Sequence, residues 1–329
     1  MRRLAAGCML LLVVLAVVAC GSLAWLVYGD RRLPAAPAVV DVAPGSSLND
    51  IAAQLKRQGV VSSARLFSLY LRSRHDAVNL QAAEYDFPAN ATMVNIADLL
   101  VAGGHASNIW VTIPEGYTAR QIAQRLAAAG LASVPSFLDV VRHGSLRVDG
   151  SASDGLEGFL FPDTYLIPRH AGAAAIARLM TQQFLRELPA NHAQLARQLR
   201  FTIPQLVTIA SMVEREAKAD DERRTMAGVY VNRLHLGMPL EVDATIEYAL
   251  PQHKNALSLR DLKVDSPYNT YRYSGLPPTP IANPGRKSLL AAFHPAKTDY
   301  LYYVYRGNGH HQFSRTLDEQ QAAERKYLH

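Results

Sequence analysis

The residues best suited to chemistry are two acids, Glu214 and Glu216, near the end of Phe201-Thr-Ile-Pro-Gln-Leu-Val-Thr-Ile-Ala-Ser-Met-Val-Glu-Arg-Glu-Ala-Lys218. A carboxyl group at the edge of an apolar surface has its charged form penalised, so it can hold a proton near neutral pH and act as a general acid. The stretch predicts a helix, with Thr202 as N-cap and Pro204 in the first turn, where a missing N–H is tolerated. At about 100° per residue, Leu206, Ala210, Val213 and Ala217 fall on one core-facing stripe. Glu214 and Glu216 lie roughly 200° apart and flank that stripe on opposite sides, and Arg215 points to solvent. Glutamates are seldom buried unless paired or useful, yet two border acids with their heads in water satisfy the same spacing. Helical geometry therefore leaves open which acid, if either, is the chemical one.

Two further stretches carry groups that could meet a substrate. Leu156-Glu-Gly-Phe-Leu-Phe-Pro-Asp-Thr-Tyr165 holds Glu157 and Asp163 among aromatics, and on pattern alone it reads as a strand entering a turn at Pro162. Ser266-Pro-Tyr-Asn-Thr-Tyr271 and Gly275-Leu-Pro-Pro-Thr-Pro-Ile-Ala-Asn-Pro-Gly285 make a rigid, non-regular region. Tyr268, Asn269, Thr270 and Tyr271 offer the ring faces, amides and hydroxyls that sugars require, although Tyr and Asn beside Pro also form ordinary turns.

These motifs resemble those of the MltG (YceG-like) endolytic murein transglycosylases. Ala-Ser-Met-Val-Glu-Arg-Glu-Ala is similar to the catalytic-helix signature of that family and, more distantly, to the Arg-x-Glu-Ser signature of soluble lytic transglycosylases. In both comparisons the second acid, Glu216, takes the catalytic place, with Ala217 standing where Thr or Ser is usual. The Leu156–Tyr165 block resembles the one that opens the catalytic domain, which makes Glu157 and Asp163 secondary candidates. Gly237-Met-Pro-Leu-Glu-Val-Asp-Ala-Thr-Ile-Glu-Tyr248 matches at Asp243 and Thr245 and departs at Glu241, Val242 and Ala244. The Tyr-Asn-Thr-Tyr…Asn-Pro-Gly run matches almost throughout, Asn283 included, with Thr279 where Gly is usual. The match continues to the end of the chain through Ala291–Val304 and Gly309–Thr316.

What the resemblance implies is cleavage of the β-1,4 bond between N-acetylmuramic acid and N-acetylglucosamine within glycan strands, leaving 1,6-anhydro ends and terminating nascent strands. Glu216 would be the catalytic acid. Glu214, Glu157, Asp163, Asp243, Thr245, Tyr268, Asn269, Thr270, Tyr271 and Asn283 would support it or bind substrate. No cofactor and no metal are expected. The expected partners are peptidoglycan strands and, in the membrane, peptidoglycan synthases. The rival class is a membrane-anchored glycan-binding or division-complex scaffold whose acidic helix is only structural.

The elements that must position these groups begin with an anchor. Leu4 to Gly29 carry no charged residue, against about twenty apolar residues needed to cross a bilayer. Arg2 and Arg3 before the run place the N-terminus in the bacterial cytoplasm and the body in the periplasm, on the inner membrane. Val17-Val18-Ala19-Cys20-Gly21 also resembles a lipobox, but the apolar run continues well past Cys20. Cys8 and Cys20 are the only cysteines, so the exported body has no disulfide and no thiol nucleophile.

Leu33–Ala38 is a Pro/Ala spacer. Beyond it, Val40–Val60 recurs as Val111–Leu131, each a strand, a Pro/Gly turn and a helix ended by Gly, with a weaker third copy at Glu84–Gly103. The first copy resembles LysM-like modules, and a structural spacer fits the same pattern. Ala173–Leu188 and Asp221–Leu234 predict two further helices, and 301–305 predicts a late strand.

The predicted fold class is α+β: a cytoplasmic stub and transmembrane helix (1–32), a linker (33–38), LysM-like repeats (39–149) and a catalytic domain (150–329). The net charge of +6 suits an anionic membrane or murein surface. Nucleic acid is excluded as a partner, because no basic-aromatic strip or zinc-finger spacing is present. His310 and His311 are adjacent rather than at ligand spacing, and no Gly-x-Ser-x-Gly elbow occurs, which argues against metal and serine hydrolases.

Overall fold

The computed structural model describes residues 33–74, 80–104, 108–250 and 257–328. The predicted span Leu4–Gly29, with Cys8 and Cys20, lies outside them. Among the described residues no helix is long and apolar enough to cross a membrane. The chain divides into two units between Asn108 and Ile109.

In the first unit, strand β1 (Ala38–Asp41) leads through a Gly45 turn into helix α1 (Leu48–Arg57) and then α2 (Ala64–Ser73). Ser47 and Asp50 form a reciprocal capping box that starts α1, and the Ser63 hydroxyl caps α2. Strand β2 (Glu84–Phe87) returns antiparallel to β1, with Val40 opposite Tyr85, and α3 (Met93–Ala102) follows. Alternation sends Val40, Tyr85 and Phe87 inward with Leu55, Phe67, Leu71 and Ile96, while Val39 is exposed. Ile51 and Leu55, one turn apart on α1, both reach this core.

Strand β3 (Asn108–Thr112) begins at the boundary, and α4 (Ala119–Ala128) and α5 (Val134–His143) follow in the second unit. A small hairpin, β4 (Arg147–Val148) and β5 (Ser151–Ala152), precedes β6 (Thr164–Pro168), which pairs with β3. Val111, Ile122, Leu126 and Phe137 pack in one core with Leu160, Tyr165, Ile176 and Met180. The second copy of the repeat thus shares its core with residues beyond 150, across the division expected at 149/150.

Residues 156–162 are buried but not a strand, contrary to the sequence pattern, and Asp163 is exposed. Their backbone is satisfied by a side chain instead: Gly158 and Leu160 donate to Asn283 Oδ1, both at 2.9 Å. Gly158 has φ +88°, and a Cβ there would lie 2.4 Å from Pro280.

Then come α6 (Gly172–Glu187), α7 (His192–Leu199), α8 (Ile203–Glu216), a 3-10 turn at Asp220–Glu222, α9 (Arg223–Leu236), α10 (Asp243–Ala249) and α11 (Arg286–Phe293). Hairpin β7 (Tyr302–Tyr305) and β8 (His311–Ser314) and helix α12 (Leu317–Tyr327) complete the unit. Helix α8 is the centre of the larger core. Ile203 and every residue from Leu206 to Val213 are buried, so the expected single stripe is a full circumference. The hairpin is tied to the body through Glu222, whose carboxylate accepts from His310 Nδ1 (3.1 Å), His311 Nδ1 (3.0 Å) and the His311 backbone N–H (2.9 Å).

Candidate active site

The last turn of α8 emerges from the core, and it carries both acids of the signature. Thr202 and Gln205 close a capping box at the helix start. Ser211, buried mid-helix, donates to the Thr208 carbonyl and accepts from the Ile281 N–H at 3.1 Å, docking the proline-rich loop on α8. Ala217 leaves helical geometry and ends the element at Glu216.

Glu216 lies partly covered, beneath the start of α10. Its Oε1 accepts from the Ala244 backbone N–H at 3.0 Å. That is the one hydrogen bond found for this carboxyl among the described residues, and it leaves Oε2 open. Burial pushes the group up to about 7; the Ala244 bond opposes that shift, and the neighbouring charge of Asp243 adds to it. Asp243 in turn accepts from Tyr271 Oη at 2.6 Å. Tyr230 on α9 and Tyr303 on β7, with hydroxyls 2.9 Å apart, lie within electrostatic reach of Glu216.

Glu214 has a different environment. Its Oε2 accepts from the Gly285 N–H at 3.0 Å, and Arg223 stands 3.4 Å from Oε1. Arg223 also reaches Asp220 and the Ser288 hydroxyl, and Lys287 pairs with Asp220. Glu115, in the turn before α4, sits against the same place: a Cβ on Gly285 would fall 1.9 Å from its Oε1. Burial, then the charge of Glu214, raises the Glu115 carboxyl above its ordinary value. This is a dense ionic joint between the repeat turn, α8 and the start of α11.

Glu157 is buried, with 8% of its surface exposed. Its oxygens accept from Ala119 N–H (2.9 and 3.0 Å), Asn283 Nδ2 (2.8 Å) and Tyr248 Oη (3.3 Å). Burial nevertheless holds it at about 7. Asn283 spends its other capacity on Gly158, Leu160 and the Tyr117 carbonyl. Asp163 bonds the Thr164 N–H and Gln183, at the start of β6.

The remaining candidates split into two groups. Asn269 and the two threonines are internal. Asn269 donates to the Leu262 and Val264 carbonyls and accepts from Tyr271 N–H. Thr245 and Thr270 share a hydroxyl contact of 2.9 Å, and Thr270 accepts from the Val242 N–H. Together they set the start of α10. Tyr268 packs at a tilt of 52° against Tyr248, with centroids 4.9 Å apart, and reaches Thr279 Oγ1 at 2.8 Å. The fold thus brings Glu216, Asp243 and Tyr271 together. It spends Glu214, Glu157, Asn269, Thr245, Thr270 and Asn283 on intramolecular bonds.

Sequence reading missed several participants. The Ala244 N–H is a backbone donor with no signature in side chains. Arg215, expected in solvent, instead meets Glu247 of α10, Nη2 to Oε2 at 2.8 Å. Glu115 could have been suspected from its Pro-Glu-Gly turn, but nothing local ties it to residue 214. Among the described residues no three His, Cys, Asp or Glu side chains converge as for a metal ion. A separate cavity of about 400 Å³ lies at the other end of α8, lined by Phe201, Gln205, Thr208, Leu234 and the Leu276–Pro280 loop.

The model of the YceG-like family matches residues 40–326. A Bacillus subtilis protein named endolytic murein transglycosylase is 32% identical over 307 residues, covering 88% of this chain and 84% of that protein. A Streptococcus pneumoniae protein of the same name is 30% identical over 296 residues, covering 80% of this chain but 53% of that longer protein. A crystal structure of a yceG-like protein from Listeria monocytogenes superposes with a TM-score of 0.58 at 31% identity, covering 87% of this chain and 98% of the other.

Proposed function

The chain belongs to the YceG-like family, and on that footing we propose that it is an endolytic lytic transglycosylase of peptidoglycan. One observation carries the reading to a residue: Glu216 is held at about 7 with one oxygen fixed by Ala244 and the other open. Oε2 protonates the glycosidic oxygen as the C1–O bond of N-acetylmuramic acid breaks. The C6 hydroxyl of the same sugar then bonds to C1 and returns its proton to Glu216. Atoms balance without water, and the product end is 1,6-anhydro. Most glycosidases need two carboxylates because water must be activated; an internal hydroxyl removes that need for a separate base. Asp243, kept in place by Tyr271, helps hold the proton on Glu216 until it is transferred.

The strand–helix–helix–strand order of the first unit supports a LysM-like module that engages glycan. The charge-free run Leu4–Gly29 supports a single inner-membrane span with the body in the periplasm. That placement would put cleavage beside nascent strands and their synthases. The test is Glu216→Gln in full-length protein, assayed on uncrosslinked strands by mass spectrometry. Anhydro product should fall by roughly 10²–10⁴-fold with the melting temperature retained. Undiminished digestion would remove Glu216 from the mechanism, and a parent yielding no product would favour the scaffold.

A further inference from the structure

We propose that Arg215 and Glu247 are positioning residues: their ion pair clamps α10 onto the end of α8, so that the Ala244 N–H stays on the Glu216 carboxyl. This inference rests on Glu216 being the acid of the proposed reaction. Helix α10 has only seven residues, about two turns, too short to be stable by itself in water. Its position therefore comes from its tethers. On one side Thr245 and Ile246 are buried, and Thr245 meets Thr270 at 2.9 Å. Farther along, Tyr248 packs on Tyr268. Towards α8, the Ala244 N–H donates to Glu216, and one turn later Glu247 receives Arg215 at 2.8 Å.

Arg215 sits between the two acids of α8 in sequence, so the clamp and the acid belong to the same helical turn. The pair is roughly three-quarters covered, with side-chain exposures of 29% and 26%, and is screened less than a surface pair. Loss of the clamp would let the start of α10 lift away. Glu216 would then lose the bond that orients Oε2, and misplacement of a catalytic group on the order of 1 Å can cost about a hundredfold in rate.

The charged and titratable groups facing Glu216 are Asp243 and Glu247 from α10, Tyr271 from the loop, Tyr230 from α9, Tyr303 from β7, and Arg215 and Lys218 from its own segment. The two carboxylates of α10 raise the Glu216 pKa and Lys218 lowers it. Arg215→Gln removes the cation that offsets the Glu247 charge, so the alkaline limb of activity should move to higher pH. Glu247→Gln removes that charge and leaves Arg215, so the limb should move to lower pH.

The experiment uses full-length protein and uncrosslinked strands, reading kcat, KM and the pH profile of anhydro-product formation. Each single variant should lose about tenfold in kcat, with KM changed by less than about twofold. The exchange variant R215E/E247R should regain most of the loss, and Arg215→Lys should fall between parent and Arg215→Gln. If thermal melts show Arg215→Gln to be unfolded, Glu247→Gln carries the limb measurement. An exchange variant no better than the singles, or single variants that keep the parent's kcat, overturns the clamp. A parent without anhydro product refutes the function itself, a result distinct from failure of the exchange.

Discussion

Two carboxyl groups of the second unit each lie beneath the first residue or two of a helix, and burial holds each at about 7. Glu157 accepts the Ala119 N–H at the start of α4, and Glu216 accepts the Ala244 N–H at the start of α10. What differs is what remains after those bonds. Glu157 also receives Asn283 and Tyr248, so both oxygens are occupied inside the protein. Glu216 keeps one oxygen for something outside it. A raised pKa marks a desolvated acid; an unspent, reachable oxygen makes it usable. Glu214, two residues away on the same helix, is a third case: Arg223 and the Gly285 N–H hold its two oxygens in a structural joint.

The sharpest test of that contrast pairs two amides. Glu216→Gln should abolish most turnover, by roughly 10²–10⁴-fold, and leave folding intact. Glu157→Gln should keep activity within severalfold per folded molecule while lowering the melting temperature. The reverse pattern would exchange the roles of the two acids.

Asn283→Ala should be the most damaging structural change. It strips partners from Gly158, Leu160 and Glu157 at once, and each stranded buried group costs about 1–3 kcal/mol. Denaturant unfolding should show a loss of roughly 2–5 kcal/mol. A loss below about 1 kcal/mol would mean that water replaces the amide.

Both acids hold their proton more tightly folded than unfolded, about 7 against an ordinary 4.5. Their linked stability is therefore complete below about 4.5 and is lost as pH rises through about 7. Unfolding free energy should fall across that window by up to about 1.4 kcal/mol per pH unit for each group, and Glu157→Gln should remove one share of the slope. Activity should also fall above about pH 7, where Glu216 loses its proton. A limb unchanged in Glu157→Gln would assign that fall to Glu216.

The smallest effect is expected from Tyr271→Phe. It removes the 2.6 Å bond to Asp243 and leaves the Ala244 contact in place. A severalfold loss of kcat is expected, with stability changed by about 1 kcal/mol or less. A loss approaching that of Glu216→Gln would place the phenol in the reaction itself.

Local signals in the sequence were enough for the helix carrying the acids. Thr202, Pro204 and the apolar residues that follow set its start and its burial, although the structure covers the middle of the helix all round. They failed at 156–163, where alternating aromatics suggested a strand. There the backbone is satisfied by the side chain of Asn283, more than a hundred residues later, which no local period can reveal. They also misplaced Arg215, because a helical wheel shows which way a side chain points and not what waits there.

By itself, then, the sequence determined the secondary-structure punctuation, the strand–turn–helix repeat and the motifs that mark the family, since caps, turns and periodicity act over a few residues. Which of Glu214, Glu216 and Glu157 keeps a usable oxygen was decided only in three dimensions. Glu214 meets α11, Glu157 meets α4 and Asn283, and Glu216 meets α10. A carboxyl group's proton affinity and availability depend on the desolvation and donors around it, and those arrive from segments distant in the chain.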